Sequence, residues 1–189
     1  MNDELVLLPH WLDAEAAASL EAVLSRTVPW QVHRVRLFGR EVESPRLSCW
    51  IGDPGAVYRY SGVRHEPQPW PDVLRPVRER LLHETGVAFN SVLANLYRDG
   101  RDGMGWHSDD EPELGERPVI ASLSLGATRR FVLKHRRDPA RKQVLALPHG
   151  SLLLMRGDTQ KDWRHALPRT ARPVGPRINL TFRRILPAA

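Results

Sequence analysis

The chain has 189 residues, a net charge of +6 and 41% hydrophobic residues. This length suits one domain with its own core, predicted over residues 1–189, and the apolar share excludes general disorder. The sequence has no apolar run long enough to span a membrane and no signal-peptide pattern at its start. Its one cysteine, Cys49, excludes an internal disulfide and thiolate-rich metal sites. We therefore expect a cytoplasmic protein in which His, Asp or Glu would hold any metal.

Positive charge is concentrated in residues 129–142, whose sequence is RRFVLKHRRDPARK. This segment has seven Lys or Arg residues against one acid, a net charge of +6 that equals the excess of the whole chain. Such a cluster favours contact with phosphate groups and therefore a nucleic-acid partner.

Two helices are predicted in the first half of the chain. Asp13 is a suitable N-cap for a helix over residues 13–25. A second helix is predicted to begin at about Asp72 and to end before Gly86, a residue type that often follows the last helical turn.

The other regular elements are predicted to be strands, because short alternating runs are separated by Gly, Pro and Asp turns. These runs are RVRLF, CWI, VLANLY, VIASLSL, RFVLKH, SLLLM and RINLTF. Many short strands in the second half favour an antiparallel sandwich or jelly roll with helices packed outside, a mainly β (α+β) fold.

The stretch WHSDDE at residues 106–111 raises the question of a metal site. In an extended segment, residues two apart point to the same side, so His107 and Asp109 would share a face and Asp110 would point away. A third ligand must come from another strand, and His165, in DWRHALP, is the best placed. Two His and one Asp with open positions match non-haem Fe(II) oxygenases. A His-x-Asp pair alone is more often an ordinary loop.

The run RINLTFRR has an apolar face and a polar face. The polar face carries Arg177, Asn179, Thr181 and Arg183. A core strand would not aim such groups inward without an anionic guest, and two guanidinium groups on one face suit a dicarboxylate. A half-exposed edge strand is the alternative.

Together, the ordered motifs NLYRDGRDGMGWHSDDE, HGSLLLM, WRHALP and PRINLTFRR resemble the AlkB family of Fe(II)- and 2-oxoglutarate-dependent dioxygenases. The resemblance implies a double-stranded β-helix (jelly-roll) core over residues 91–189. N-terminal helices and a nucleotide-recognition lid would occupy residues 1–90. It also implies oxidative dealkylation of bases such as 1-methyladenine and 3-methylcytosine in DNA. The reaction would consume O2 and release formaldehyde, succinate and carbon dioxide.

The resemblance implies roles for the residues of the catalytic centre. His107, Asp109 and His165 would bind Fe(II), and Arg177, helped by Tyr97, would hold the distal carboxylate of 2-oxoglutarate. Further residues would hold the other end of this cosubstrate or support Asp109; they are Asn95, Asn179, Thr181 and Arg183.

The resemblance also extends to the predicted lid, RLSCWIGDPGAVYRYSG. Tyr60 would stack on a flipped base, opposite the first metal-binding histidine. Arg46 and Tyr58 are predicted lid contacts, and Glu111 would touch the exocyclic amine of the damaged base.

Upstream of the lid, RVRLFGREVESPR is predicted to form a hairpin with Phe38 at its tip. The hairpin resembles the finger of family members that act on double-stranded DNA, where an apolar wedge fills the gap left by the flipped base. Two further aromatics, Trp106 and Trp163, are interpreted as core residues.

Three rival functions stay open at this stage. An RNA or protein demethylase could have the same architecture, and a non-catalytic module could bind nucleic acid without iron. A zinc hydrolase could use the same three ligands, but it would have no need of the paired Arg177 and Arg183. We expect a monomer with duplex DNA as its partner, single-stranded DNA or RNA as alternatives, and no membrane contact.

Overall fold

The computed structural model describes residues 4–37, 40–60, 63–138 and 140–187, with the backbone alone at residues 33–37, 40–41, 58–60 and 63–65. Most of the regular structure in these ranges is β-strand. The strands are β1 (Leu5–Leu8), β2 (Gln31–Leu37), β3 (Arg40–Gly52), β4 (Tyr58–Tyr60), β5 (Val63–His65), β6 (Ser91–Tyr97), β7 (Met104–His107), β8 (Ile120–Gly126), β9 (Arg129–His135), β10 (Lys142–Leu147), β11 (Ser151–Met155), β12 (Trp163–Leu167) and β13 (Arg177–Arg183). The α-helices are α1 (Ala14–Thr27), α2 (Arg75–Thr85) and α3 (Thr159–Asp162).

Two antiparallel sheets form a jelly roll. The major sheet has seven strands in the order β1–β11–β8–β13–β6–β3–β2, and the minor sheet has four in the order β10–β9–β12–β7. Strands β4 and β5 form a separate pair, with β4 in the predicted lid and β5 directly after it. This arrangement is the mainly β fold with flanking helices that the strand pattern predicts.

Both predicted helices are present, with small differences at their ends. The Asp13 side chain caps α1 by accepting a hydrogen bond from the N–H of residue 16 at 2.8 Å. The segment Asp72–Leu74 is a 3-10 turn rather than α-helix, because Pro76 has no N–H to donate to the carbonyl of residue 72. Gly86 ends α2 with a φ of +70°. No helix in the described ranges is long and apolar enough to cross a membrane.

Strand β13 divides the apolar core into two parts. Ile178, Leu180 and Phe182 pack in a cluster with residues of α1 and α2, on one side of the major sheet. The alternate polar residues face the minor sheet, and every residue of β13 is buried. The interpretation as a half-exposed edge strand is therefore wrong, because β13 pairs with β6 and β8 on its two sides.

The helix-side cluster should dominate stability. Leu24 of α1 is 0% exposed, whereas Leu82 of α2 is 48% exposed. We expect Leu24→Ala to lower the free energy of unfolding by about 2–5 kcal/mol, because it removes buried methyl groups and leaves a cavity. The matched Leu82→Ala should change it by less than about 0.5 kcal/mol. Urea unfolding followed by circular dichroism measures both, and equal losses would contradict this assignment of the core.

Candidate active site

Two histidines and one aspartate meet between the two sheets. His107 ends β7 and lies directly opposite His165 of β12 in the strand register, while Asp109 follows β7. The Nε2 atoms of the histidines are 3.1 Å apart, and Asp109 Oδ2 is 3.9 Å from His165 Nε2. Metal ligands on bonds of about 2.1 Å at right angles lie about 3 Å apart. The three donor atoms therefore fit a single metal ion.

The protonation of the triad suits metal binding. His107 Nδ1 lies 2.8 Å from the carbonyl oxygen of Gly105, so a proton on Nδ1 leaves the lone pair of Nε2 directed at the other two ligands. Burial, followed by the nearby His107, lowers the pKa of His165 to about 3. His165 is therefore neutral at pH 7, and no proton must leave it before a metal can bind.

Arg183 holds Asp109 in its ionised form. Burial is the largest single influence and opposes ionisation of this carboxyl. The charge and the hydrogen bond of Arg183, together with the two nearby histidines, outweigh burial and hold the pKa of Asp109 below its ordinary value. Arg183 Nη2 donates to Asp109 Oδ1 at 2.5 Å, and Oδ2 stays on the side of His165. Of the two roles implied for Arg183, support of Asp109 is the contact seen in the structure.

The loop that carries Asp109 is held on both of its sides. The backbone N–H of Asp109 donates to Gln160 Oε1 at 2.9 Å, and Gln160 is 1% exposed. On the other side, Arg136 Nη2 donates to Ser108 Oγ at 2.8 Å and to Asp110 Oδ2 at 2.5 Å. Asp110 thus points away from the triad, as the alternation predicts, and Asp109 has a fixed backbone.

Arg177 forms the other charged end of the site. It is 2% exposed, its Nη2 donates to Ser124 Oγ at 2.9 Å, and its guanidinium carbon lies 5.4 Å from the centre of the Tyr97 ring. Among the described residues, Arg177 Nε has no hydrogen-bond partner and no carboxylate forms an ion pair with Arg177. Burial lowers the pKa of Arg177 to about 10. A buried cation without a counter-ion is costly, so this corner favours an anionic ligand.

Amide and hydroxyl groups line the inner face of the major sheet between the two ends of the site. Asn179 Nδ2 donates to Ser122 Oγ at 2.8 Å, and Thr181 Oγ1 donates to Asn179 Oδ1 at 3.2 Å. Asn95 Oδ1 accepts from Arg46 Nε at 2.7 Å. Arg46 is 6% exposed and belongs to this polar layer. Its predicted contact with nucleic acid stays a prediction.

A single pocket joins the metal-ligand triad to Arg177. Its empty volume is about 470 Å³, counting the space at its open mouth. Apolar side chains, among them Phe131 and Met155, line the remaining wall, and the Phe131 ring lies 5.2 Å from that of His165. His107 is the one half-exposed member of the triad, and with other half-exposed lining residues such as Met104 it marks the side on which the pocket opens.

Comparison with known proteins identifies this architecture. The model of the 2OG-Fe(II) oxygenase superfamily matches residues 4–183. The DNA oxidative demethylase ALKBH2 of Arabidopsis thaliana is 37% identical over 212 residues, which cover 98% of this chain and 67% of the relative. The chain belongs to the AlkB family of these oxygenases.

Other relatives of this AlkB-family chain agree. The alpha-ketoglutarate-dependent dioxygenase alkB homolog 3 of Homo sapiens is 40% identical over 190 residues, 96% of this chain and 66% of the relative. ALKBH2 of Bos taurus is 45% identical over 161 residues, 82% of this chain and 58% of the relative. The chain therefore spans about two thirds of the length of these proteins or less. The structure of OsALKBH1 is 18% identical, with a TM-score of 0.66 over 97% of this chain and 99% of that chain, and shows the same fold.

The structure describes the predicted substrate residues of this AlkB-family chain in less detail than its metal-ligand triad. Glu111 is half-buried two residues beyond Asp109 and precedes a 3-10 turn at Pro112–Leu114. Tyr58 and Tyr60 are the ends of β4, whose backbone alone is described. Phe38 lies outside the described residues. The roles of these four residues stay predictions.

Trp106 is not a core residue. It is 38% exposed, because the inward direction of its neighbour His107 turns it to the outer face of the minor sheet. The prediction for Trp163 holds, since this ring packs against the apolar cluster between the sheets.

Two features of the site were absent from the sequence-based predictions. Ser122 and Ser124 alternate with apolar residues in VIASLSL, and this period could have placed them on the polar inner face. Gln160 offered no such signal, since it lies in the four-residue helix α3.

The contact between Gln160 and Asp109 can be tested through metal affinity. We expect Gln160→Leu to weaken Mn(II) binding about tenfold or more, because it removes a partner that orients a ligand. Isothermal titration calorimetry with Mn(II) measures the affinity, and circular dichroism reports whether the variant is folded. Gln143→Leu, on β10, is the matched control and should leave the affinity unchanged. Equal affinities in both variants would mean that Gln160 does not position Asp109.

Proposed function

We propose that this AlkB-family chain catalyses oxidative dealkylation of N-alkylated bases in DNA, with Fe(II) and 2-oxoglutarate. The observation that carries the proposal is the buried Arg177, a cation without a carboxylate partner among the described residues, in the same pocket as a His-Asp-His triad. Relatives at 37–45% identity are named as alpha-ketoglutarate-dependent dioxygenases and DNA oxidative demethylases, which supports the reaction class.

The chain's residues divide the work between the two ends of the pocket. His107, Asp109 and His165 would hold Fe(II), and Arg177 would pair with the distal carboxylate of 2-oxoglutarate. When bound, Fe(II) and 2-oxoglutarate would supply the oxidation of an N-alkyl carbon by O2. One oxygen atom would go to succinate, which forms as 2-oxoglutarate loses carbon dioxide, and the other to the methyl group, which would leave as formaldehyde. The apolar wall beside His165 keeps water away from the reacting carbon.

A zinc hydrolase accounts for less of this geometry. Such an enzyme needs three ligands and an activated water, so nothing in its reaction requires a buried arginine in the same pocket that has no carboxylate partner among the described residues. A module that only binds nucleic acid likewise needs neither the neutral His165 nor the ionised Asp109. A dioxygenase accounts for both the metal-ligand triad at one end of the pocket and Arg177 at the other.

The reaction can be tested with oligonucleotides that carry 1-methyladenine or 3-methylcytosine, incubated with Fe(II), ascorbate and 2-oxoglutarate. We expect formaldehyde and succinate in equal amounts. His107→Ala should abolish both products, because it removes a metal ligand, whereas the exposed His83→Ala should retain them. Arg177→Gln should raise the KM for 2-oxoglutarate about 30-fold or more, since loss of a buried charge partner costs about 2–5 kcal/mol.

Two outcomes of this experiment would count against the proposal. A chain that binds the oligonucleotide and forms neither product would support the binding module. An unchanged KM for 2-oxoglutarate in a folded Arg177→Gln variant would remove the assignment of this arginine. Arg130→Gln, an exposed arginine of β9, is the matched control and should keep the wild-type KM.

We propose duplex DNA as the preferred form of the substrate. Strands β2 and β3 pair up to Leu37 opposite Arg40, and the predicted finger residue Phe38 follows Leu37 in the sequence. Phe38→Ala should lower kcat/KM on a methylated duplex about tenfold and change it little on a single strand, because only the duplex has a gap to fill. Rates measured on both substrates give the ratio, and equal losses would refute the wedge.

A further inference from the structure

Three cations lie side by side on the outer face of the minor sheet. Arg164 of β12 is directly opposite Lys134 of β9, and Lys134 is directly opposite Lys142 of β10. Residues directly opposite on neighbouring strands project from the same face about 5 Å apart. We call Arg164, Lys134 and Lys142 the cation row.

The minor sheet does not neutralise the charges of the cation row. Like charges directly opposite each other destabilise a sheet. The four strands of the minor sheet read MGWH, RRFVLKH, KQVLAL and WRHAL, without one Asp or Glu. In the described part of the chain, no carboxylate forms an ion pair with any member of the row. An external polyanion would neutralise it.

Other cations of the basic segment 129–142 are already engaged. Arg129 is 3% exposed and donates to the carbonyl oxygens of residues 99, 102 and 168. Arg136 pairs with Asp110 beside the triad. These two charges stabilise loops of the protein, so Lys134 and Lys142 are better placed for an external ligand.

The cation row contacts Trp106, the residue that precedes the half-exposed His107 of the pocket lining. Lys134 Nζ is 5.0 Å from the centre of the exposed Trp106 ring, and Arg164 Nη2 donates to the Trp106 carbonyl oxygen at 2.9 Å. Trp106 precedes His107, the half-exposed metal-ligand candidate, on the edge strand β7. A base that enters past His107 would bring its own strand across this edge.

We propose that the cation row binds the sugar–phosphate backbone of the nucleic-acid strand whose damaged base enters the pocket. The inference rests on the proposed function for the identity of that strand. The row crosses two strand spacings, about 10 Å. This length corresponds to about three nucleotides of a stacked strand at about 3.4 Å each. The Trp106 ring contacts the ammonium of Lys134, the middle member of the row, and Arg164, the end member on β12, donates to the Trp106 carbonyl oxygen, so the β12 end of the row lies nearest to His107.

The test is the salt dependence of binding to an unmodified oligonucleotide, both single-stranded and duplex, between about 50 and 200 mM salt. Over this range the binding constant of a protein that contacts phosphates changes enough for its slope against salt concentration to be measured. The variant is Lys134→Gln with Lys142→Gln, and neither residue is next to a metal-ligand candidate. We expect about tenfold weaker binding and a slope of log K against log salt that is smaller by about 1.5, because two phosphate contacts are lost. The matched control, Arg26→Gln with Arg75→Gln on α1 and α2, should keep the wild-type slope.

A second measurement separates this inference from the proposed function. Succinate formation with free 1-methyladenosine, which has no phosphate, should be equal in wild type and the lysine variant, while formation with the methylated oligonucleotide should fall. Equal slopes in the lysine variant, the arginine control and wild type would overturn the cation row. If wild type forms no product on any methylated substrate but the slopes differ as expected, the proposed function fails and the phosphate surface stands.

Discussion

The buried ion pair between Arg183 and Asp109 connects the two sheets at the catalytic centre. Arg183 belongs to β13 in the major sheet, Asp109 follows β7 of the minor sheet, and both side chains are at most 4% exposed. Loss of one partner would leave an uncompensated buried charge, which is strongly destabilising. Asp109 is therefore held in its place as a buried ligand only while the sheets are packed, so the metal site assembles as the chain folds.

Strand β13 also sets the length of the pocket. Arg177 and Arg183 lie on the same face six residues apart, which is about 20 Å along a strand. Arg183 is neutralised by Asp109, whereas Arg177 has no carboxylate partner in the described part of the chain, so two identical side chains on one strand have different roles. This division leaves Arg177 to attract an acidic cosubstrate at the end of the pocket far from Asp109.

Alternation along strands predicted much of the site before any coordinates. It placed His107 with Asp109, turned Asp110 away, and put four polar groups on one face of β13. Alternation could not decide which arginine supports Asp109, because Arg177 and Arg183 lie on the same face of the strand. It could not find Gln160, 51 residues from Asp109, because that contact depends on tertiary packing. The core interpretation of Trp106 failed because hydrophobic character alone does not tell which face of a sheet is covered.

The two-sided burial of β13 restricts how this region can evolve. Insertion or deletion of one residue would exchange its faces, so that guanidinium and amide groups would meet the helix-side cluster while Ile178, Leu180 and Phe182 filled the pocket. Point substitutions keep each remaining residue on its own face of the strand and can be tolerated. Changes in the length of the strand exchange the two faces and cannot. Variation in length should instead collect in residues 168–176, the connection that leads into the strand.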